Sequence, residues 1–229
     1  MSISVSELSK CYGSQKAIDG ISFDAVPGKV LGFLGPNGAG KSTTMKILTC
    51  FIPQSSGRAS VCGFDVNTHS MDVRRNIGYL PEHNPLYLEM YVREELAFIC
   101  DIHRIANKKQ RIDEVISLTG LGDEQFKKIG ALSRGYRQRV GIAQAILPDP
   151  KVLILDEPGS GLDPNQMQGI RSLIRELGRT KTVILSTHIM QEVEAVCDRV
   201  IVINKGKIAA DDDLEKLKAA YPGRSLEDI

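Results

Sequence analysis

Apolar and polar residues follow two different rhythms along this chain. Short apolar runs bounded by Gly, Pro and Ser read as strands: ISV (3–5), ISFDAV (21–26), VLGFL (30–34), ASV (59–61), IGYL (77–80), VLIL (152–155), TVILS (182–186) and RVIVI (199–203). PGK (27–29) is a turn, and VLGFL has no polar residue, as expected of a buried strand. A helix is predicted from about Lys41 to Phe51, stopped by Pro53 and SSG (55–57), and a short helix separates ASV from IGYL. Between 81 and 148 the spacing lengthens to three and four residues, as in Val92, Leu96, Ile99 and Ile102. That predicts helices over 91–104, 108–119 and 134–147. Strand–helix alternation on both sides of a helical block predicts an α/β core with a parallel sheet and a helical insertion. The last stretch, DDDLEKLKAAYPGRSLEDI, reads as one polar helix with a short tail.

Composition narrows the picture. The 229 residues suit one domain with a subdomain, and 42% apolar content is enough for a sizeable core. Lys and Arg number 29 against 28 Asp and Glu, a net charge of +1. That balance gives no case for nucleic acid, which calls for a basic surface. Five scattered Cys form no C-x-x-C pair, so neither a disulfide framework nor a zinc site is expected, and a reducing cytosol fits. The N-terminus lacks the order of a signal peptide, and no apolar run approaches the roughly 18 residues of a membrane span. Work at a membrane would need a span from another chain.

The strongest chemical signal is GPNGAGKST, 35–43, which satisfies G-x-x-x-x-G-K-[ST] directly after a buried strand and at a helix start. Glycines let backbone N–H groups converge on phosphate oxygens, and the helix N-terminus aims its dipole at the same anion. Gly35, Asn37, Gly38, Ala39, Gly40, Lys41, Ser42 and Thr43 are therefore candidate phosphate-binding positions. Lys41 adds a point charge, and Ser42 offers a hydroxyl to Mg²⁺. A second strand, LILD, ends on Asp156 and Glu157. Beside a phosphate cradle, Asp156 is a candidate to hold Mg²⁺ through water, and Glu157 to take a proton from the attacking water.

Many chemistries use such a loop. A GTPase reads guanine with N-K-x-D, but NKGK (204–207) has Lys207 where a carboxylate must accept. A small kinase would have no use for the helical block. Within that block, LSRGYRQRVGIAQAI places Ser133 as a helix N-cap with Gly135 close behind. A hydroxyl and a bare backbone N–H at a helix start form a second anion site.

Taken in order, these motifs resemble those of the ATP-binding subunits of ABC transporters, and the likeness covers nearly the whole chain. GPNGAGKST matches Walker A, LSRGY the signature, LILDEP Walker B with its catalytic glutamate, SGLD (160–163) the D-loop, and STH the switch histidine, His188. Tyr12 stands where the family stacks an aromatic on adenine. The wording of IGYLPEHNPLY looks like the bacterial branch paired with ABC-2-type permeases, of gliding-motility or multidrug-export kind.

The resemblance implies a RecA-like P-loop fold with a mostly parallel core, an N-terminal antiparallel part and a helical signature subdomain. Its divisions are 1–80 with 149–210 for the core, 81–148 for the subdomain, and 211–229 for a C-terminal helix and tail. It implies Mg·ATP held between the Walker A loop of one subunit and the signature of another, in a homodimer. The implied partner is an integral membrane permease contacted through 82–100, and the implied location is the cytoplasmic face of the cell membrane. His188 would contact the γ-phosphate and orient water. A soluble ABC ATPase of DNA repair or translation is the rival. It usually carries coiled-coil insertions or a second cassette, and neither is present.

Some positions depart from the family pattern. Glu82 stands where a glutamine usually touches Mg²⁺; a carboxylate approaches a metal but cannot donate. It reads either as a hinge with a water-mediated metal contact or as a solvated loop acid. Arg134 and Tyr136 replace a Gly and a Gln of the signature, and Arg134 either adds charge near a partner's nucleotide or points into water. Gly159 stands where Thr is common. Leu86, Tyr87, Leu88, Met90 and Tyr91 are either subdomain core or part of a groove for a permease helix.

Overall fold

The computed structural model describes residues 1–220. Four strands, β1 (Ile3–Tyr12), β2 (Gln15–Ala25), β4 (Ser56–Val61) and β5 (Phe64–Asp65), form an antiparallel sheet in the order β2-β1-β4-β5. The second sheet has six strands: β3 (Val30–Leu34), β6 (Ile77–Leu80), β7 (Val152–Asp156), β8 (Thr182–Thr187), β9 (Arg199–Asn204) and β10 (Lys207–Asp213), in the order β10-β9-β3-β8-β7-β6. All its pairings are parallel except β10 against β9.

The central strands β3, β7 and β8 are buried at every position. Their continuous apolar runs are what a sheet covered on both faces demands. Alternate residues point to opposite faces. On β3, Leu31 and Phe33 face a core shared with α1 (Lys41–Leu48) and the antiparallel sheet, where Phe23 meets Phe33 edge-on at 4.9 Å. Val30 and Leu34 face the other core, which runs through the helical side. There α3 (Val92–Ile102), α4 (Lys108–Thr119) and α5 (Arg134–Ile146) connect β6 to β7, and α6 (Pro164–Gly178) and α7 (Met190–Val196) cover the remaining strands. The short helix before IGYL is α2 (Ser70–Asn76).

Two expectations need correction. The polar composition from Asp211 predicts helix, but Asp211, Asp212 and Asp213 belong to β10, and the helix α8 spans only Leu214–Ala220. Pairing with β9 overrides the polar composition, and Arg199 holds the strand by a two-pronged contact with Asp211 at 2.6 and 2.7 Å. The tail expected over 221–229 lies outside the described residues. The N-terminal hairpin is also far longer than ISV and ISFDAV, because the exposed halves of β1 and β2 are polar and leave no apolar run to read.

Candidate functional site

The loop after β3 and the carboxylates ending β7 meet because β3 and β7 both pair with β8. Parallel strands put their C-terminal ends on one edge, where a ligand is expected. A cavity of about 220 Å³ opens there, lined by Asn37 to Thr43, Glu82 and Glu157. Its floor is tightly curved backbone. Gly40 has φ +112°, and a Cβ on Gly35 would sit 2.2 Å from the Ile203 carbonyl oxygen. Side chains at these positions would collide with β9 or strain the loop.

Lys41 is buried. Its Nζ donates to the carbonyls of Gly35 (2.7 Å) and Pro36 (3.3 Å) and lies 3.4 Å from Glu157 Oε1. That oxygen has an ionic contact but no hydrogen bond. Glu157 Oε2 lies 2.9 Å from His188 Nδ1 at the end of β8. Glu157 is a non-glycine residue at φ 51°. This left-handed conformation costs on the order of 1–2 kcal/mol, and such strain concentrates at functional sites. Its backbone N–H is fixed by the Ser186 carbonyl at 3.0 Å. Asp156 is buried, and its Oδ1 accepts from Ser42 Oγ at 3.1 Å and from Ser186 Oγ. Burial and the charges of Asp156 and Glu82 push the Tyr79 phenol well above its ordinary value.

The structure thus brings together Gly35 through Thr43, Asp156, Glu157, His188 and Glu82. Ser133 and Gly135 do not line this cavity. Ser133 caps α5 by accepting from the Tyr136 N–H, and Gly135 is buried against Gln166 of α6. Tyr12 is half exposed at the tip of β1 with Lys10 Nζ 5.3 Å from its ring, and it is also absent from the cavity lining. Its hairpin reaches the loop through Ala17, whose carbonyl lies 2.6 Å from where a Gly40 Cβ would stand. Leu86 packs on the core, whereas Tyr87, Leu88 and Tyr91 point outward. Sequence reasoning missed the role of Ser186, whose hydroxyl donates to the Asp156 carboxylate and accepts from the Glu157 backbone N–H at 3.2 Å. The only signal was its place at the start of the STH segment.

An ABC transporter family model matches residues 18–160. Bacitracin transport ATP-binding protein BcrA of Bacillus licheniformis is 38% identical over 99% of this chain and 75% of its own. This chain belongs to the ABC transporter ATP-binding family. Daunorubicin resistance ATP-binding protein DrrA3 of Streptomyces coeruleorubidus is 34% identical over 98% of this chain and 72% of its own. The cbiO1 structure of Clostridium perfringens, part of the ABC transporter complex cbiONQ, superposes with a TM-score of 0.84 at 30% identity, covering 95% of this chain and 90% of that one. This ABC protein is an ATPase that works on ATP with Mg²⁺. The donor set fits that metal: the Ser42 hydroxyl and the Glu82 carboxylate line the cavity and the Asp156 carboxylate lies directly behind Ser42, and all three offer the hard oxygen donors that Mg²⁺ takes. Among the described residues, no helix is long and apolar enough to cross a membrane.

Proposed function

We propose that this ATPase works as a pair of identical chains that drive a separate membrane permease from the cytoplasmic face of the membrane, without nucleic acid. The observation that carries the pairing is geometric. Lys41, Ser42 and Glu157 line one cavity, with Asp156 bonded to Ser42 and His188 to Glu157, while the second anion-binding helix start, Ser133 with Gly135, lies outside it and bonds to none of these side chains. A second copy supplies the missing half. On this reading the chain divides into a nucleotide-binding core (1–80 and 149–210), a signature subdomain (81–148) and a C-terminal segment (211–229) that begins as strand.

Each residue has a role. The loop N–H groups of Asn37 to Thr43 and the Lys41 ammonium bind phosphate oxygens. Glu157 accepts the proton of the attacking water, and His188 orients the terminal phosphate with its free ring nitrogen while Nδ1 stays on Glu157. Ser42, Asp156 and Glu82 hold Mg²⁺, which when bound offsets charge on the phosphates. Tyr12 stacks on the adenine.

The permease contact centres on 82–100, where Tyr87, Leu88, Tyr91 and Phe98 expose apolar surface and Tyr87 meets Phe98 edge-on at 5.9 Å. At the C-terminal end of α3 a groove of about 480 Å³ is lined by Met71, Arg74, Arg75, Ile102, His103 and Arg104. Apolar floor with three guanidinium groups suits an acidic amphipathic helix. Light scattering of the Glu157→Gln protein tests the pairing. ATP should double the mass, and Ser133→Ala should weaken that response. A protein that binds ATP and stays monomeric at all concentrations overturns it.

A further inference from the structure

Glu95 is a charged group that the reaction as described does not use, yet it is 1% exposed. It lies in the first turn of α3, and both its partners come from elsewhere in the chain. The Tyr87 N–H donates to its Oε2 at 3.1 Å, and the Gln144 side-chain amide donates to its Oε1. No cation forms an ion pair with it among the described residues. Both partners are donors, so the site matches an acceptor-only carboxylate. Burial nevertheless pushes its pKa up.

The two partners belong to two different segments near the site. Tyr87 lies five residues after Glu82, which lines the nucleotide cavity. Gln144 is on α5, the helix that starts at Ser133. A second contact joins the same two segments: Asn84 packs its side-chain amide against Gly141, where a Cβ would stand 2.0 Å from Nδ2. Gly141 and Gln144 are three residues apart and share one face of α5. The loop after Glu82 is therefore fastened to the signature helix at two points along one side. One is contact through a glycine gap, and the other is a buried carboxylate bridge.

We propose that Glu95 is a positioning residue of the ATPase reaction, tying the loop that follows Glu82 to the helix that carries Ser133 so that the two shift as one body. The inference rests on the two-copy reading above. A displacement of Glu82 at one nucleotide is carried by this bridge to the Ser133 end that meets the other. Removing Glu95 leaves two buried donors without an acceptor and lets the loop and helix move independently. The Lys41 cavity shares no residue with the bridge, so the first encounter with ATP does not depend on it.

The test uses the full chain in four forms: Glu95→Ala, Glu95→Gln, Gln144→Glu, and the exchanged pair Glu95→Gln with Gln144→Glu. Equilibrium binding of a fluorescent ATP analogue should be little changed in all four. The kcat of Glu95→Ala and of Gln144→Glu, which sets two carboxylates together, should fall by about tenfold to a hundredfold, the scale of a misplaced site, and that of Glu95→Gln, whose amide still bonds both partners, by less. The exchanged pair rebuilds an amide–carboxylate bond with its direction reversed, and its kcat should rise well above that of Gln144→Glu. Loss through poor folding alone would lower active fraction and binding together, and the exchange would not separate them. An exchanged pair no more active than Gln144→Glu overturns the proposal, as does a well-folded Glu95→Ala protein with unaltered kcat. If the wild-type chain itself retains no nucleotide, the ATPase reading fails instead.

Discussion

Replacing Glu157 by Gln should do two opposite things. Gln keeps the shape of the side chain but cannot accept a proton from water. Loss of a positioned general base costs about 10²- to 10⁴-fold in rate. At 1.36 kcal/mol per decade, that is about 3–5 kcal/mol of barrier. Binding should move the other way. Lys41 and Glu157 are both buried and lie 3.4 Å apart. At an effective dielectric of about 20, their gross attraction is about 5 kcal/mol. The cost of keeping two ions out of water takes most of that back, leaving roughly 1–2 kcal/mol. ATP must draw the ammonium toward its phosphates against this residual pull. Neutralising residue 157 releases Lys41 and removes a negative charge from the phosphate site, so ATP should bind about 5- to 30-fold more tightly. Titration with a fluorescent nucleotide measures the affinity, and a phosphate-release assay measures turnover. Unchanged turnover would remove Glu157 from the role of base. Weaker binding at normal fold stability would refute the argument from the ion pair.

Three further outcomes follow from other contacts. Gly35→Ala should destabilise the fold by about 3 kcal/mol in urea unfolding, because its Cβ meets the Ile203 carbonyl at 2.2 Å, whereas Gly38→Ala has open space and carries only left-handed strain of about 1–2 kcal/mol. Glu192 is 3% exposed, and burial, with the nearby Glu157 charge, raises its pKa above the ordinary 4.5. The folded state then holds a proton that the unfolded state releases, so stability falls as pH rises from 4.5 through the raised value. Glu192→Gln should lack that fall, and its advantage over wild type in urea titrations should grow from acid to neutral pH. Gly135→Ala should fold normally, since its Cβ meets only the end of the flexible Gln166 side chain, yet it should lose the ATP-dependent pairing seen by light scattering.

Much of this protein was legible because its chemistry is local. The phosphate loop is one unbroken stretch whose glycines, lysine and serine are needed in that order. The helix over 108–119 carries its own periodicity and appears at those bounds. The long hairpin and β10 were not legible. Their exposed faces are polar, and only a neighbouring strand makes them extended. Ser186 illustrates the same limit within the site. Nothing near it in sequence says that its hydroxyl will reach Asp156.

What the sequence alone determined was therefore the set of motifs, their order, and the kind of ligand they suit. Backbone preference and hydrophobic period act over a few residues, and those were enough. The tertiary structure decided which of these groups touch. It set Lys41 against Glu157, Ser42 against Asp156, and Glu95 against Gln144. It also left Ser133, Gly135 and Tyr12 outside the cavity that the phosphate loop lines. The physical reason is strand order: β3 and β7 must bury both faces on either side of β8, and that requirement joins residues more than a hundred positions apart.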